Sequence, residues 1–185
     1  MTKKEFEKKY NLIPSNDSLL QNKLELFDFN NPPVDPEELS KDLLEHMKHF
    51  GGIGLSANQV GLPYRVFVMV GDIVCFNPKI TAYAGEELML DEGCLSYPGL
   101  YIKKKRPEMI RCRYFDATGK ASVHRYSGMT SRIFQHEYEH MEGENFLDGI
   151  GEFALRRAKE KQQKLIKKVG RQRKRLLAQQ KKKKR

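Results

Sequence analysis

The chain reads as an α+β protein in which antiparallel or mixed β-sheets pack around a central helix, with a basic helix added at the C-terminus. Three observations predict this. Apolar residues recur at helical spacing near 39–50 and again near 129–141, residues 64–126 break into short β-type runs, and positive charge crowds into the last thirty positions.

The first thirty residues show no clear periodicity, and Asn30-Asn31-Pro32-Pro33 marks a break. A helix is expected to start after it. Asp35 can accept from the free N–H groups of a first turn, Pro36 suits the first helical position, and Glu38 stands where a capping box places it. Leu39, Leu43, Leu44, Met47 and Phe50 then give one apolar face until Gly51-Gly52 ends the run. Strand candidates follow at Tyr64 to Val70, Ile73 to Phe76, Lys79 to Tyr83, Glu86 to Leu90, Glu108 to Phe115 and Ala121 to Tyr126. Helical spacing returns at Met129, Ile133, Phe134 and Met141. A last helix is predicted from Phe153 to Val169, interrupted by Gly170, and residues 179–185 are expected to stay disordered until something acidic binds them.

At 185 residues the sequence fits one domain, 1–150, with an appendage, 151–185. An apolar content of 39% without a bilayer-length apolar run, and an N-terminus lacking the apolar stretch of a secretory signal, point to a cytoplasmic protein with no membrane partner. Three cysteines do not make a disulfide framework, and Cys75 and Cys112 are expected in the core. The formal charge of +10 is unevenly spread. Residues 156–185 hold 16 of the 34 bases and one of the 24 acids, so the first 155 residues are net negative. Such a tail suits a polyanion.

The chemistry is concentrated in His136-Glu137-Tyr138-Glu139-His140. On a helix, positions i and i+4 share a face, so both imidazoles can reach one ion while Glu137 stands beside a water held by it. Catalytic sites of this kind usually have a third protein ligand. Cys94, in Glu92-Gly93-Cys94-Leu95-Ser96, is the candidate. In Gly52-Ile53-Gly54-Leu55-Ser56-Ala57-Asn58-Gln59, the glycines allow close approach of a substrate backbone and Gln59 offers an amide donor. His46, His49 and His124 read as surface or partly buried histidines, and Lys103 to Arg106 as a solvated loop or strand end.

These three segments resemble the signature motifs of the peptide deformylases: GxGxAAxQ at 52–59, EGCLS at 92–96 and QHExxH at 135–140. The resemblance spans roughly residues 35–150. It implies hydrolysis of the formamide at the N-terminal formyl-methionine of new polypeptides, with release of formate. Cys94, His136 and His140 would bind one divalent ion per chain, Fe(II) in the cell, with zinc, nickel or cobalt able to replace it. Glu137 would act as general base and then acid, and Gln59 with the N–H of Leu95 would hold the oxyanion. The peptide would lie along Ile53-Gly54 and Gly93, with its methionine in a pocket of Ile53, Leu90, Met129 and Ile133. The protein would be a monomer docked on the ribosome or ribosomal RNA by its basic tail.

Three positions depart from the family pattern: Ser56 replaces an alanine, Glu139 replaces an aspartate, and Tyr97-Pro98-Gly99-Leu100-Tyr101 lacks an arginine. Two other readings share part of these features, a zinc endopeptidase with HExxH and an RNA-binding protein with a structural metal.

Overall fold

The structure, a computed structural model, describes residues 10–183. Its sheet has five strands, β1 (Gly54–Ser56), β2 (Val66–Met69), β3 (Ile73–Gly93), β4 (Tyr101–Phe115) and β5 (Ala121–Ser127). They lie side by side in chain order, and every neighbouring pair is antiparallel. Among the described residues there are three α-helices, α1 (Pro36–Phe50), α2 (Gly128–Glu142) and α3 (Glu152–Lys183).

Helix α1 begins as its sequence predicts. The Asp35 side chain accepts from the Glu38 N–H at 2.8 Å, Pro36 occupies the first turn, and Gly51 closes the helix at a φ of 70°. Its apolar face, Leu39, Leu43 and Met47, packs on Leu55, Val66, Val68 and Phe76. His46 is buried on this helix, with Nδ1 against the Asp42 carbonyl and its ring against Tyr10, rather than lying near the surface.

Strand β2 is apolar throughout because both of its faces are covered. Val66 and Val68 point into the α1 cluster, whereas Phe67 and Met69 point into a second cluster with Phe134 and Met141 of α2. Cys75 and Cys112 lie fully buried in that second cluster, as expected. Helix α2 is therefore enclosed: Ser131 to Glu137, His140 and Met141 are all buried.

The three strand candidates between Ile73 and Leu90 are one strand. Register shifts at Phe76/Lys79 and Ala84/Glu87 fall in the gaps between these candidates, and a further one lies at Ile80/Ala82. Asn77 and Gly85 take positive φ values of 49° and 77° there, so β-bulges absorb what would otherwise end the strand. The long β3–β4 hairpin brings the chain to Gly93, next to Cys94. Its return strand contains Lys103 to Arg106, which are sheet residues and not a loop.

Helix α3 continues through Gly170 to Lys183 instead of stopping at Val169. A mid-helix glycine costs only about 1 kcal/mol relative to alanine, and its neighbours are mostly strong helix formers. Of the segment expected to be disordered, 179–183 is helical and 184–185 lies outside the described residues. No helix among the described residues is long and apolar enough to cross a membrane.

Two glycines with similar backbone conformations differ in their surroundings. A Cβ at Gly143 (φ 76°), the cap of α2, would stand 2.6 Å from Asn22 C and 2.7 Å from Lys23 N, whereas one at Gly149 (φ 77°) would meet nothing within 4 Å. Gly143→Ala should lower the unfolding free energy by about 3 kcal/mol through backbone overlap. Gly149→Ala should cost about 1 kcal/mol. Urea titration of the two variants measures the difference, and equal midpoints would refute it.

Candidate metal and catalytic centre

Three elements converge at one end of α2. Strand β3 ends at Gly93 and delivers Cys94, the turn Ala57–Val60 after β1 delivers Gln59, and α2 delivers His136, Glu137 and His140. The ligand atoms of Cys94, His136 and His140 lie within 4.8 Å of one another, and all three residues are buried. Cys94 Sγ is 3.3 Å from His140 Nε2. Bonds of about 2.0–2.3 Å to a tetrahedral ion would hold such atoms roughly 3.3–3.6 Å apart, so the set fits a zinc-like or iron-like divalent ion.

The local electrostatics fit a cation as well. Burial holds His140 well below the ordinary histidine range, so its ring is neutral. Burial acts the same way on His136, but bonds to Cys94 and Glu92 outweigh it and carry His136 up to about 10. The pocket thus favours positive charge between Cys94 and Glu92.

A buried ion network fixes this cluster. His136 Nδ1 lies 3.3 Å from Glu92 Oε2, which leaves Nε2 as the nitrogen available to an ion. Glu92 is gripped by Arg106, through Nε at 2.6 Å and Nη2 at 2.9 Å, and by Arg132 Nη1. Burial opposes its charge, yet the bonds to His136 and Arg106 bring Glu92 down to about 2. Arg106 also makes a two-point contact with Glu139, at 2.6 and 2.9 Å, and Lys104 Nζ reaches Glu139 Oε2 at 2.9 Å. The extra methylene of Glu139 is thereby accommodated. Arg106 is only 3% exposed, so strand alternation turns Lys104 and Arg106 to the site while Lys103 and Lys105 face solvent.

Glu137 is the one carboxylate here without a cationic grip. Its Oε2 is buried and has no hydrogen-bond partner among the described residues. Burial, reinforced by Glu92, pushes its pKa up to about 7, although His136 and Arg106 pull the other way. The space for it is made by Gly54. A Cβ at that position would meet Glu137 Oε1 and lie 2.9 Å from Cδ.

Gln59 is equally constrained. Its Oε1 accepts from the Ser56 N–H at 3.0 Å and the Ser56 hydroxyl at 3.2 Å, while Nε2 donates to Cys94 Sγ at 3.3 Å and Ser96 Oγ at 3.0 Å. The hydroxyl that Ser56 introduces is satisfied, since it also donates to Asn58 Oδ1 at 2.7 Å. Asn58 in turn donates to the His140 carbonyl at 3.0 Å, tying the turn to the end of α2. To serve a substrate oxygen, Gln59 would give up its bond to Ser96.

A cavity of about 590 Å³ opens beside the cluster. Ile53, Gly54, Gln59, Gly93, Cys94, Leu95, Met129, Ile133, His136 and Glu137 all line it. Leu90 does not; it pairs with Lys104 in the exposed part of the β3–β4 hairpin. Sequence reasoning missed several residues of the site. Glu92 carried a signal, because strand alternation puts it on the face of Cys94, two positions on. Arg106 and Arg132 carried none, since one lies on β4 and the other on α2 and only tertiary packing brings both to Glu92. Leu12 of the N-terminal segment and Tyr97 and Tyr101 also line the cavity.

The chain matches the family described as polypeptide deformylase over residues 10–155. It is 37% identical over 145 residues to a peptide deformylase of Cytophaga hutchinsonii, covering 72% of this chain and 79% of that one. A second peptide deformylase, from Dictyoglomus thermophilum, is 40% identical over 123 residues, or 65% and 80% of the two chains. Among solved structures, a peptide deformylase from Synechococcus elongatus in complex with actinonin superposes with a TM-score of 0.76 at 30% identity, covering 83% and 86%. With its three signature segments meeting at one cavity, this chain belongs to the polypeptide deformylase family and is a metallohydrolase that removes the formyl group from the N-terminus of newly made polypeptides.

Proposed function

We propose that Cys94 Sγ, His136 Nε2 and His140 Nε2 hold one divalent ion, Fe(II) in the cell, and that Glu137 is the base and acid of the hydrolysis. The observation that carries this reading is the unpartnered Oε2 of Glu137, buried on the cavity wall beside three converging ligand atoms. When bound, the ion supplies a water deprotonated near neutral pH and a positive charge for the formyl oxygen. Glu137 takes the proton as water adds to the formyl carbon. It returns the proton to the amine as the C–N bond breaks, leaving formate and a free N-terminus. Its raised pKa, about 7, suits both transfers. Gln59 and the Leu95 N–H donate to the oxyanion, each worth about 3 kcal/mol in the transition state.

Strand β1 is an edge of the sheet, so a peptide can add beside Ile53-Gly54, with Gly93 opposite it on the cavity wall. Backbone pairing ignores side-chain identity, which suits an enzyme that must accept every new protein. Ile53, Met129 and Ile133 offer the apolar surface for methionine. The enzyme works as a cytoplasmic monomer. Residues 1–150 are its catalytic domain, and the basic C-terminal helix and tail, residues 151–185, dock it on the ribosome or ribosomal RNA by counterion release.

Glu137→Gln should retain the metal and lose formate release from formyl-Met-Ala by about 10²- to 10⁴-fold. Metal analysis and a formate assay on one sample measure both, and turnover within tenfold of wild type would remove Glu137 from its role. Gly54→Ala should displace the Glu137 carboxylate and lower kcat while the metal content stays constant. An unchanged kcat would contradict the steric argument. Ending the chain at Val169 should abolish ribosome co-sedimentation at physiological salt and spare hydrolysis of free peptides, whereas undiminished co-sedimentation rejects docking by the tail.

A further inference from the structure

The same helix that carries the basic tail also backs one wall of the peptide cavity. Residues Tyr97 to Tyr101 all line that cavity; Tyr101 already belongs to β4 and the Tyr97 hydroxyl donates to Asn145 Oδ1 at 3.0 Å, which leaves the Pro98-Gly99 turn between two anchored ends. Its backbone bonds are Tyr97 N–H to the Cys94 carbonyl at 2.9 Å and Leu100 N–H to the Tyr97 carbonyl at 3.0 Å, around Gly99 at a φ of 73°. Support comes from behind. Gln162 of α3 donates from Nε2 to the Pro98 carbonyl at 2.7 Å, and Leu165 reaches so close to Gly99 that a Cβ there would lie 3.6 Å from its Cδ2. One turn earlier, Ala158 is buried in a cluster with Cys94, Leu100, Ile102 and Phe146.

The spacing of these three contacts is that of a helix face. Ala158, Gln162 and Leu165 fall on one stripe of α3, and that stripe is directed at the loop following Cys94. Beyond Leu165 the same helix stands clear of the body, with Ile166, Val169 and Leu176 exposed.

We propose that Gln162 and Leu165 are positioning residues for peptide binding: they hold the Pro98-Gly99 turn and so set the place of the Tyr97–Tyr101 wall against the substrate. Neither residue touches the reacting atoms. Their loss therefore weakens the bound peptide in the ground and transition states alike, which raises KM and leaves kcat nearly unchanged. The inference rests on the cavity being the peptide site, as proposed above.

The test uses the full-length, metal-loaded enzyme and a formyl-methionyl tripeptide. Gln162→Glu keeps the shape of the side chain and removes its donor, Leu165→Ala removes the contact with Gly99, and Gln163→Glu makes the same charge change on the exposed neighbour. The first two should each raise KM about fivefold, the effect of one lost hydrogen bond or packing contact, with kcat within twofold and the melting temperature unchanged. Gln163→Glu should match wild type. A KM within twofold of wild type in the Gln162→Glu/Leu165→Ala double variant overturns the proposal. So does a loss carried by kcat together with a fall in melting temperature. Met129→Ala, on the cavity wall, reports on the cavity as the peptide site through its own rise in KM, and the ratio of the Gln162 and Leu165 variants to wild type reports on α3.

Discussion

The buried chain of charges Arg132–Glu92–Arg106–Glu139 is the constraint on which the rest of the centre depends. It joins the β3–β4 hairpin to α2, and its first acid also meets His136. Removing one member of such a network leaves an uncompensated buried charge, which typically costs about 3–5 kcal/mol. The cost explains its completeness: both oxygens of Glu92 and both of Glu139 are engaged. With both of these carboxylates fully engaged, His136 is held in one orientation and Glu137 is left as the free carboxylate.

That contrast separates two glutamates on one helix. Glu139 is held below the usual carboxylate range by Arg106 and Lys104 in spite of burial, whereas Glu137, two positions earlier, is raised by burial. Adjacent faces of one helix thus supply a permanent anion that fixes structure and the carboxyl group proposed above as the proton carrier. The substitution of glutamate for aspartate at 139 is compatible with this because both donors reach it from β4, an element long enough to adjust its side chains.

Much of this was legible in the sequence, for reasons that can be traced to particular residues. Asp35, Pro36 and Gly51 are local signals, and α1 begins and ends where they place it. The meeting of Cys94, His136 and His140 at one place was legible because they sit in short runs with the spacing of metal ligands. The misreadings all involve long-range pairing. Asn77-Pro78 and Gly85 resemble strand ends until β4 pairs across them, Lys104 and Arg106 resemble solvated charges until Glu139 faces them, and Leu90 resembles a pocket residue until its register sets it outside. Gly170 is the opposite case, where a local breaker signal was too weak to end a long helix.

The edge strand β1 has a further consequence in its length. It is three residues long, and at about 3.4 Å per residue it offers a template of roughly 10 Å. A chain laid against it can be read only over its first few residues before it runs off the end. The short ruler sets a limit on contact, so a nascent polypeptide can be gripped by its terminus, processed, and let go while everything behind that terminus stays free to fold. On this side of the sheet it also leaves too little exposed edge to recruit the strands of other proteins, a hazard for any enzyme that works among unfolded chains.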